Sequence, residues 1–151
     1  TDPALAERRS AFAEAPHLLD GSGAVAMCLA GELLGMIDDA AAPLTARHAA
    51  EAADLQRRIE AHGERGSGKK QLEERHKREA RRYRTDELRS GLATMAATYR
   101  DTAVSGGSTD VASCADAVHR IHAAIEALDR NPNEKLLLES LIWSLPDAQG
   151  V

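Results

Sequence analysis

Aromatic and cysteine residues are scarce in this chain of 151 residues. Aromatic side chains make up 3% of it, as one Trp, two Tyr and one Phe. A core with so few rings is usually built from Leu, Ala and Met on packed helices. The two cysteines, Cys28 and Cys114, stand far apart within apolar helical patterns. This placement favours buried, reduced thiols over a disulfide or a metal site.

Long hydrophobic runs and an excess of positive charge are also missing. No stretch approaches the length of a membrane span and no signal-peptide pattern is visible, so we expect a cytoplasmic protein. The formal net charge of -5 gives no global attraction to nucleic acid or to an anionic membrane. Because the chain starts at Thr1 and not at Met, we expect a single domain over residues 1–151 that is excised from a longer protein.

Apolar residues recur at helical spacing, and no strand-length stretch alternates with period two. The sequence therefore predicts an all-α bundle of about six helices. They are expected from Pro3 to Ala15, from Ser22 through Ile37, from Leu44 to about His62, from Lys69 to about Thr102, from Thr109 or Asp110 through Leu128, and from Glu134 to Leu145. The fourth, continuous or kinked near Thr85, is predicted to be the longest. Gly31 and Gly35 are spaced so that another helix can come close.

The glycine-rich segment from Gly63 to Lys70 matches the first seven positions of a phosphate-binding loop. Lys70, however, stands where that loop carries the magnesium-binding Ser or Thr. A phosphate-binding loop also joins a strand to a helix, whereas this segment joins two predicted helices. We interpret it as a linker and expect neither nucleotide binding nor ATPase activity.

Candidate metal and catalytic groups are few. His119, His122 and Glu126 share a helix face at a spacing that is able to hold a metal. They flank an apolar stripe with no second ligand cluster nearby in sequence, which favours ordinary surface histidines. No nucleophile stands beside an evident base. We therefore assign no catalytic, cofactor-binding or metal-binding residues and expect no small-molecule substrate.

A basic run occupies residues 69–84, with eight Lys or Arg against three Glu, a local balance of +5. Such a helix is able to touch DNA phosphates or an acidic partner. The candidate contacts are Lys69, Lys70, Arg78, Arg81 and Arg82. The sequence favours a solvated face laced with ion pairs four residues apart, such as Glu73–Lys77 and Glu74–Arg78.

The last predicted helix, Glu134–Leu145, is apolar on too many sides for one buried stripe. Leu138, Leu141 and Leu145 share a face that the chain's own helices are expected to cover. The residues assigned to a subunit interface are Leu137, Trp143, Leu141 and Ile142, with the lone Trp143 as a typical anchor. A central helix enclosed by its own bundle is the alternative, and patterning alone does not separate the two.

Three segments carry a family resemblance. They are Lys69-Lys70-Gln71-Leu72-Glu73-Glu74-Arg75-His76-Lys77-Arg78-Glu79-Ala80 followed by Asp86-Glu87-Leu88 and Tyr99-Arg100-Asp101, the C-terminal Ala127-Leu128-Asp129-Arg130-Asn131-Pro132-Asn133-Glu134-Lys135-Leu136-Leu137-Leu138-Glu139-Ser140-Leu141, and the opening Thr1-Asp2-Pro3 with Arg8-Arg9. In this order they resemble the C-terminal collar domain of the delta-prime subunit of the actinobacterial DNA polymerase III clamp loader. Gly31 and Gly35 have no place in the family pattern, and the loop at residues 105–108 is shorter than in many relatives.

The resemblance implies an assembly role. In that family the collar domains of five subunits pack into a ring, from which ATPase-like modules hang and load a sliding clamp onto primed DNA. The implied partners are subunits of the gamma/tau and delta types, with DNA reached only through the assembled complex. The alternatives are a collar domain of a gamma/tau subunit and a free-standing bundle that binds nucleic acid through the Lys69–Arg84 helix. A small helical enzyme, with a pocket of converging polar groups, is a third.

Overall fold

The computed structural model describes residues 2–63, 68–106 and 109–148. Within these ranges all regular structure is helical and no strand occurs, which confirms the all-α prediction. The helices are α1 (Pro3–Glu14), α2 (Gly23–His62), α3 (Lys69–Ser105), α4 (Val111–Ala127) and α5 (Glu134–Ser144), with 3-10 turns at Ala15–Leu18 and Leu128–Arg130. None of them combines the length and apolarity needed to cross a membrane.

Side-chain caps fix where four of these helices begin. Asp2 accepts a hydrogen bond from the Ala4 amide at 3.0 Å, and Pro3 follows at the first helical position. Ser22, Asp110 and Asn133 cap α2, α4 and α5 in the same way. Each satisfies a backbone N–H that has no partner inside its helix. Helix starts at these positions were predicted from the sequence and are confirmed.

The predicted break before Leu44 is wrong, because α2 runs through Pro43 as one helix of 40 residues. Pro43 donates no hydrogen bond to the carbonyl of Asp39, a loss that costs about 3 kcal/mol in a helix interior. Pro43 is exposed, so water reaches the freed group. Next to it, the Tyr83 hydroxyl donates to the carbonyl of Ala40 at 3.2 Å and ties this part of α2 to α3.

Helix α3 is continuous across Thr85, which is one of the two forms, continuous or kinked, that the sequence predicted. It has 37 residues, so the prediction that it is the longest element is wrong. The error follows from Pro43, since it was the assumed break there that divided the longer α2 into two helices.

One core lies among α1, the first half of α2, the second half of α3, α4 and α5. Its fully buried side chains include Phe12, Ile37, Leu88, Leu92, Met95, Tyr99, Ile121, Leu138 and Ile142. Burial raises the pKa of Tyr99, so its hydroxyl stays protonated and donates to the carbonyl of Pro146 at 2.5 Å. The C-terminal segment is thereby fastened to α3.

The distal halves of α2 and α3 form an antiparallel hairpin outside this core. Ile59 is the one residue of α2 beyond Ile37 that is buried, and α3 buries nothing before Leu88. In the described chain, every side-chain hydrogen bond and ion pair of residues 44–62 and 69–82 stays within the hairpin. We call this element the distal hairpin, and its outer surfaces are open to other molecules.

The expectations for the two cysteines and for the glycine pair Gly31 and Gly35 have different outcomes. Cys114 is buried as predicted, but Cys28 is exposed, because it faces outward on α2 with its Sγ 3.6 Å from Glu32. At Gly31 and Gly35, an added Cβ meets no atom within 4 Å. The helix expected to approach these glycines is therefore not one of the described helices of this chain.

Two predicted loops fall partly outside the described residues. The linker from Gly63 to Lys70 includes residues 64–67, and the loop at 105–108 includes residues 107 and 108. The described flanks of the linker are Gly63 and Gly68, with φ of 67° and 81°, at the end of α2 and the start of α3. Left-handed backbone at both ends suits glycine. Helices flank the segment on both sides, as the linker interpretation requires.

Candidate functional site

Helix α5 places two of the four residues assigned to the subunit interface in the chain's own core. Leu141 is 7% exposed and Ile142 is 1% exposed, so neither is available to a partner. They pack inward beside Leu138 and Leu145, which the sequence analysis assigned to the buried face. Leu141 and Ile142 therefore belong to the core of this chain, because the inward face of α5 is wider than the predicted stripe.

The other two assigned residues, Leu137 and Trp143, differ from each other. Leu137 is half-buried and packs against the core. Trp143 is 61% exposed, and one side of its indole lies on the start of α2. A Cβ built on Gly23 would stand 3.1 Å from Cζ2 of Trp143, so this glycine lets the ring lie flat. The free side of the ring faces outward.

Two further large apolar side chains are exposed on the same two helices, α2 and α5. Leu136 is 63% exposed and lies seven residues before Trp143, which puts the two on one face of α5. Met27, 55% exposed, is one turn along α2 from Gly23. We call Met27, Leu136 and Trp143 the apolar strip. Sequence reasoning missed Met27 and Leu136, because both stand within otherwise ordinary helical patterns.

The apolar strip runs along two antiparallel helices. Arg84 bonds Asp38 on α2 and Glu134 at the start of α5, at 2.5 and 2.8 Å, while the end of α5 lies over Gly23. The uncovered Gly31 of α2 lies in the stretch between these two contacts. The surface thus combines exposed large side chains with a stretch of bare helix backbone.

The basic residues assigned to a phosphate or acidic-partner contact are all exposed on α3. Leu72, His76 and Tyr83 mark the half-buried side of the helix, toward α2. The opposite side carries Lys70, Lys77, Arg78, Arg81 and Arg82, which we call the basic face, and Lys69 adjoins it at the first turn. Thus α3 packs through one side and presents cations on the other.

The ion pairs predicted for this face are wrong. Within the described chain, no carboxylate lies within the 4.0 Å limit of an ion pair from Lys77 or Arg78, so neither predicted pair with Glu73 or Glu74 forms. The same is true of Arg81 and Arg82. Glu51 and Glu79 are turned instead toward the seam between α2 and α3, whereas Glu73 and Glu74 are exposed on α3.

A cleft lies where the basic face meets the end of α4. Its volume is about 450 Å³, and it is lined by Arg78, Arg81, Arg82, Thr85, Asp86, Arg89, Leu128 and Asp129. Arg89 is held by Asp86 at 3.3 Å and by Asp129 at 2.8 Å, which neutralises one end of the cleft. The other end retains the three arginines without carboxylate partners.

A symmetric charged cluster joins the two helices of the distal hairpin. The sequence Arg-His-x-x-Glu occurs twice, and its residues are Arg47, His48 and Glu51 on α2 and Arg75, His76 and Glu79 on α3. The imidazoles stack with centroids 3.9 Å apart. Each bonds the opposite glutamate, with 3.1 Å from Nε2 to Oε2 in both pairs. We call these six residues the Arg-His-Glu cluster. The repeated motif is a signal that sequence reasoning overlooked.

This cluster perturbs both of its carboxylates. The hydrogen bond from His76 and the nearby Arg75 hold the pKa of Glu51 below its ordinary value. His48, with Arg47 and Arg75, does the same to the pKa of Glu79. A carboxyl group whose pKa is lowered by folding stabilises the fold above its unfolded pKa and loses that contribution as pH falls through the folded value.

We therefore expect the distal hairpin to open in acid before the core does. As pH falls below the ordinary glutamate pKa of 4.5 and through the lower values of the folded chain, protonation of Glu51 and Glu79 removes the negative charges that strengthen both cross-helix hydrogen bonds. Hydrogen-exchange protection factors of residues 44–59 and 70–83, measured from pH 7 to pH 3, should fall ahead of those in the core. A Glu51→Gln and Glu79→Gln double variant should show a smaller pH dependence there. Equal pH profiles for the hairpin and the core would contradict this expectation.

Candidate metal ligands do not converge in the described ranges. No group of three or more His, Cys, Asp or Glu side chains there is arranged to hold a metal ion. His119, His122 and Glu126 are all exposed on α4. Within the Arg-His-Glu cluster, the positive charges of Arg47 and Arg75 already balance the negative charges of Glu51 and Glu79.

Comparisons with known proteins returned no relative. None of the protein-family models, curated proteins and solved structures that were searched matches this chain.

Proposed function

We propose that this chain is the collar domain of a clamp-loader delta-prime subunit and holds that subunit in the ring that loads a sliding clamp onto DNA. The observation that carries the proposal is the apolar strip, where Met27, Leu136 and Trp143 lie exposed together beside bare helix backbone. Exposed apolar surface of this kind marks a site of protein association. The sequence segments that resemble the family supply the identity of the partners.

The expected partner element is a helix. Two helices pack closely where one of them lacks side chains that would hold the other away, and nothing lies within 4 Å of a Cβ at Gly31 or Gly35. Trp143 then supplies an anchor at the edge of the contact. In this proposal the partner is a neighbouring collar domain of the gamma/tau or delta type, and the chain itself performs no chemistry.

Trp143→Ala is expected to weaken assembly much more than it weakens the fold. An interface anchor commonly contributes about 2 kcal/mol or more, equivalent to a roughly thirty-fold loss of affinity. Pull-down with gamma/tau and delta-type subunits measures assembly, and thermal melting of the chain alone measures the fold. The double variant Gly31→Ala/Gly35→Ala should stabilise the isolated chain through helix propensity, yet impair assembly by filling the bare backbone.

Val104→Ala provides a matched control, because Val104 is 89% exposed and lies at the far end of α3, outside the apolar strip. It should leave both assembly and melting unchanged. The proposal fails if Trp143→Ala assembles normally, or if Val104→Ala is equally harmful. Leu137 is left out of the test, since its packing against the core makes a loss of stability the expected result of its truncation.

A further inference from the structure

We infer that the basic face of α3 binds the phosphate backbone of a nucleic-acid duplex without regard to sequence. This inference does not depend on the proposed assembly role, because the apolar strip involves α2 and α5 while the basic face belongs to the distal part of α3. The starting observation is the lack of carboxylate partners, within the described residues, for Lys77, Arg78, Arg81 and Arg82.

Several acidic side chains near this face are committed elsewhere, and the two that remain exposed on this part of α3, Glu73 and Glu74, are outnumbered by the five cations. Glu51 and Glu79 bond His76 and His48 within the seam of the hairpin. Asp38 and Glu134 hold Arg84 on the other side of α3. The local charge therefore stays positive along the outer side of the helix, although the whole chain carries -5. A polyanion that approaches from this side meets cations first.

The dimensions of the face match one strand of a duplex. Lys70 and Arg82 are twelve residues apart, or about 18 Å along a helix. One strand of B-form DNA presents a phosphate about every 3.4 Å along the axis, so about five phosphates lie within this length, and the turn of the strand leaves about three to four of them within reach of a straight helix. The basic face offers five cations over the same distance. Arg78, Arg81 and Arg82 also border the cleft beside the end of α4, where Thr85 adds a hydroxyl.

The neighbouring side chains favour a duplex over the two other polyanionic partners. Single strands bind by stacking bases on aromatic rings, but both rings on this half of α3 are turned toward α2, where His76 stacks on His48 and Tyr83 bonds Ala40. An acidic polypeptide usually needs an apolar anchor at the centre of its contact. Leu128, the apolar residue that lines the cleft, is 3% exposed and offers none.

Binding of a duplex to the 151-residue chain tests the inference. A fluorescently labelled 20-base-pair DNA duplex, titrated at 50 mM salt, should bind with a dissociation constant of about 10⁻⁵ M, in the range of non-specific contacts. Three to four phosphate contacts predict a slope of log K against log salt of about -3, which is a loss of about forty-fold or more between 50 and 200 mM salt. An unrelated duplex sequence should bind equally.

The decisive variant is Arg78→Gln/Arg82→Gln, compared with Arg57→Gln/Arg58→Gln. Both remove two charges from exposed positions of the distal hairpin, but Arg57 and Arg58 already pair with Asp54 at 3.5 and 3.2 Å. The first variant should reduce the magnitude of the salt slope by about two, whereas the second should leave it unchanged. Circular dichroism confirms that both variants are folded.

Four outcomes would overturn the inference. The first is no binding of duplex at 50 mM salt with protein up to about 10⁻⁴ M, the weak end of non-specific affinities. The second is an equal loss in the two double variants, which would show an effect of net charge only. The third is tighter binding of single-stranded DNA than of duplex. The fourth is tighter binding of poly-glutamate through Arg78 and Arg82, which would identify an acidic polypeptide as the partner.

Discussion

Replacing Arg8 with alanine is expected to lower the free energy of unfolding by about 3 kcal/mol. Arg8 is buried, and its Nε donates to Oε2 of Glu87 at 3.2 Å, with side-chain exposures of 8% and 16%. Removing one partner of a buried ion pair leaves the other charge uncompensated, which costs about 3 to 5 kcal/mol. The lower end of this energy range applies to Arg8→Ala because the side chain of Glu87 keeps some contact with water. The change also loosens α1 from α3, which this ion pair joins.

A second variant separates the effect of charge from that of packing. Arg8→Met with Glu87→Leu removes both charges and keeps similar volumes, and such replacements are often neutral or stabilising. Urea unfolding followed by circular dichroism measures both variants. The expected order of stability places the double variant near the unchanged chain and Arg8→Ala well below it. If Arg8→Ala unfolds at the same urea concentration as the unchanged chain, the buried ion pair does not stabilise the fold.

Gly91→Ala is expected to destabilise the fold by about 2 kcal/mol, against the usual preference of helices for alanine. A Cβ at Gly91 would stand 2.7 Å from Cζ of Phe12, whose ring is 1% exposed and has no room to withdraw. Overpacking of a core costs about 1 to 3 kcal/mol, and the upper end of this range applies to so short a contact with a fully buried ring; the gain of about 1 kcal/mol in helix propensity offsets part of it. Gly91 therefore lets the ring of Phe12 on α1 lie against the backbone of α3.

Gly31→Ala is the matched comparison and should have the opposite sign. A Cβ at Gly31 meets nothing within 4 Å. The gain of about 1 kcal/mol from the higher helix propensity of alanine is therefore not offset by any steric cost. Thermal or urea unfolding of the two single variants, side by side, measures the difference of about 3 kcal/mol. Stabilisation by both substitutions would show that α1 does not press against Gly91.

The sequence predicted the helical class and most helix starts, because capping residues and apolar spacing are local signals. Asp2, Ser22, Asp110 and Asn133 each act within two or three residues of themselves. Pro43 was misjudged, since a proline breaks a helix only when its cost is not met by packing elsewhere, and that depends on contacts such as Tyr83 with Ala40.

The candidate surfaces were predictable only in part. Trp143 is exposed, but Ile142 beside it, which was assigned to the same interface, is buried because α5 contacts the bundle over a wide arc. The absence of the expected ion pair of Arg78 with Glu74 depends on side-chain positions, which spacing does not determine. The Arg-His-Glu cluster joins residues far apart in the chain. Its pairing depends on the register of α2 against α3, although the repeated motif was visible.

The central claim, that Trp143 lies in the contact with neighbouring collar domains, has one direct test. Because the chain has a single Trp, 5-fluorotryptophan labels this position alone, and unlabelled gamma/tau and delta-type subunits add no fluorine signal. We predict that the ¹⁹F resonance of Trp143, open to solvent in the isolated chain, shifts and loses its sensitivity to solvent deuteration when the subunits are added in stoichiometric amounts. An unchanged, solvent-exposed resonance under conditions where the chain co-migrates with those subunits would contradict the assigned interface, and failure to co-migrate would contradict the proposed function itself.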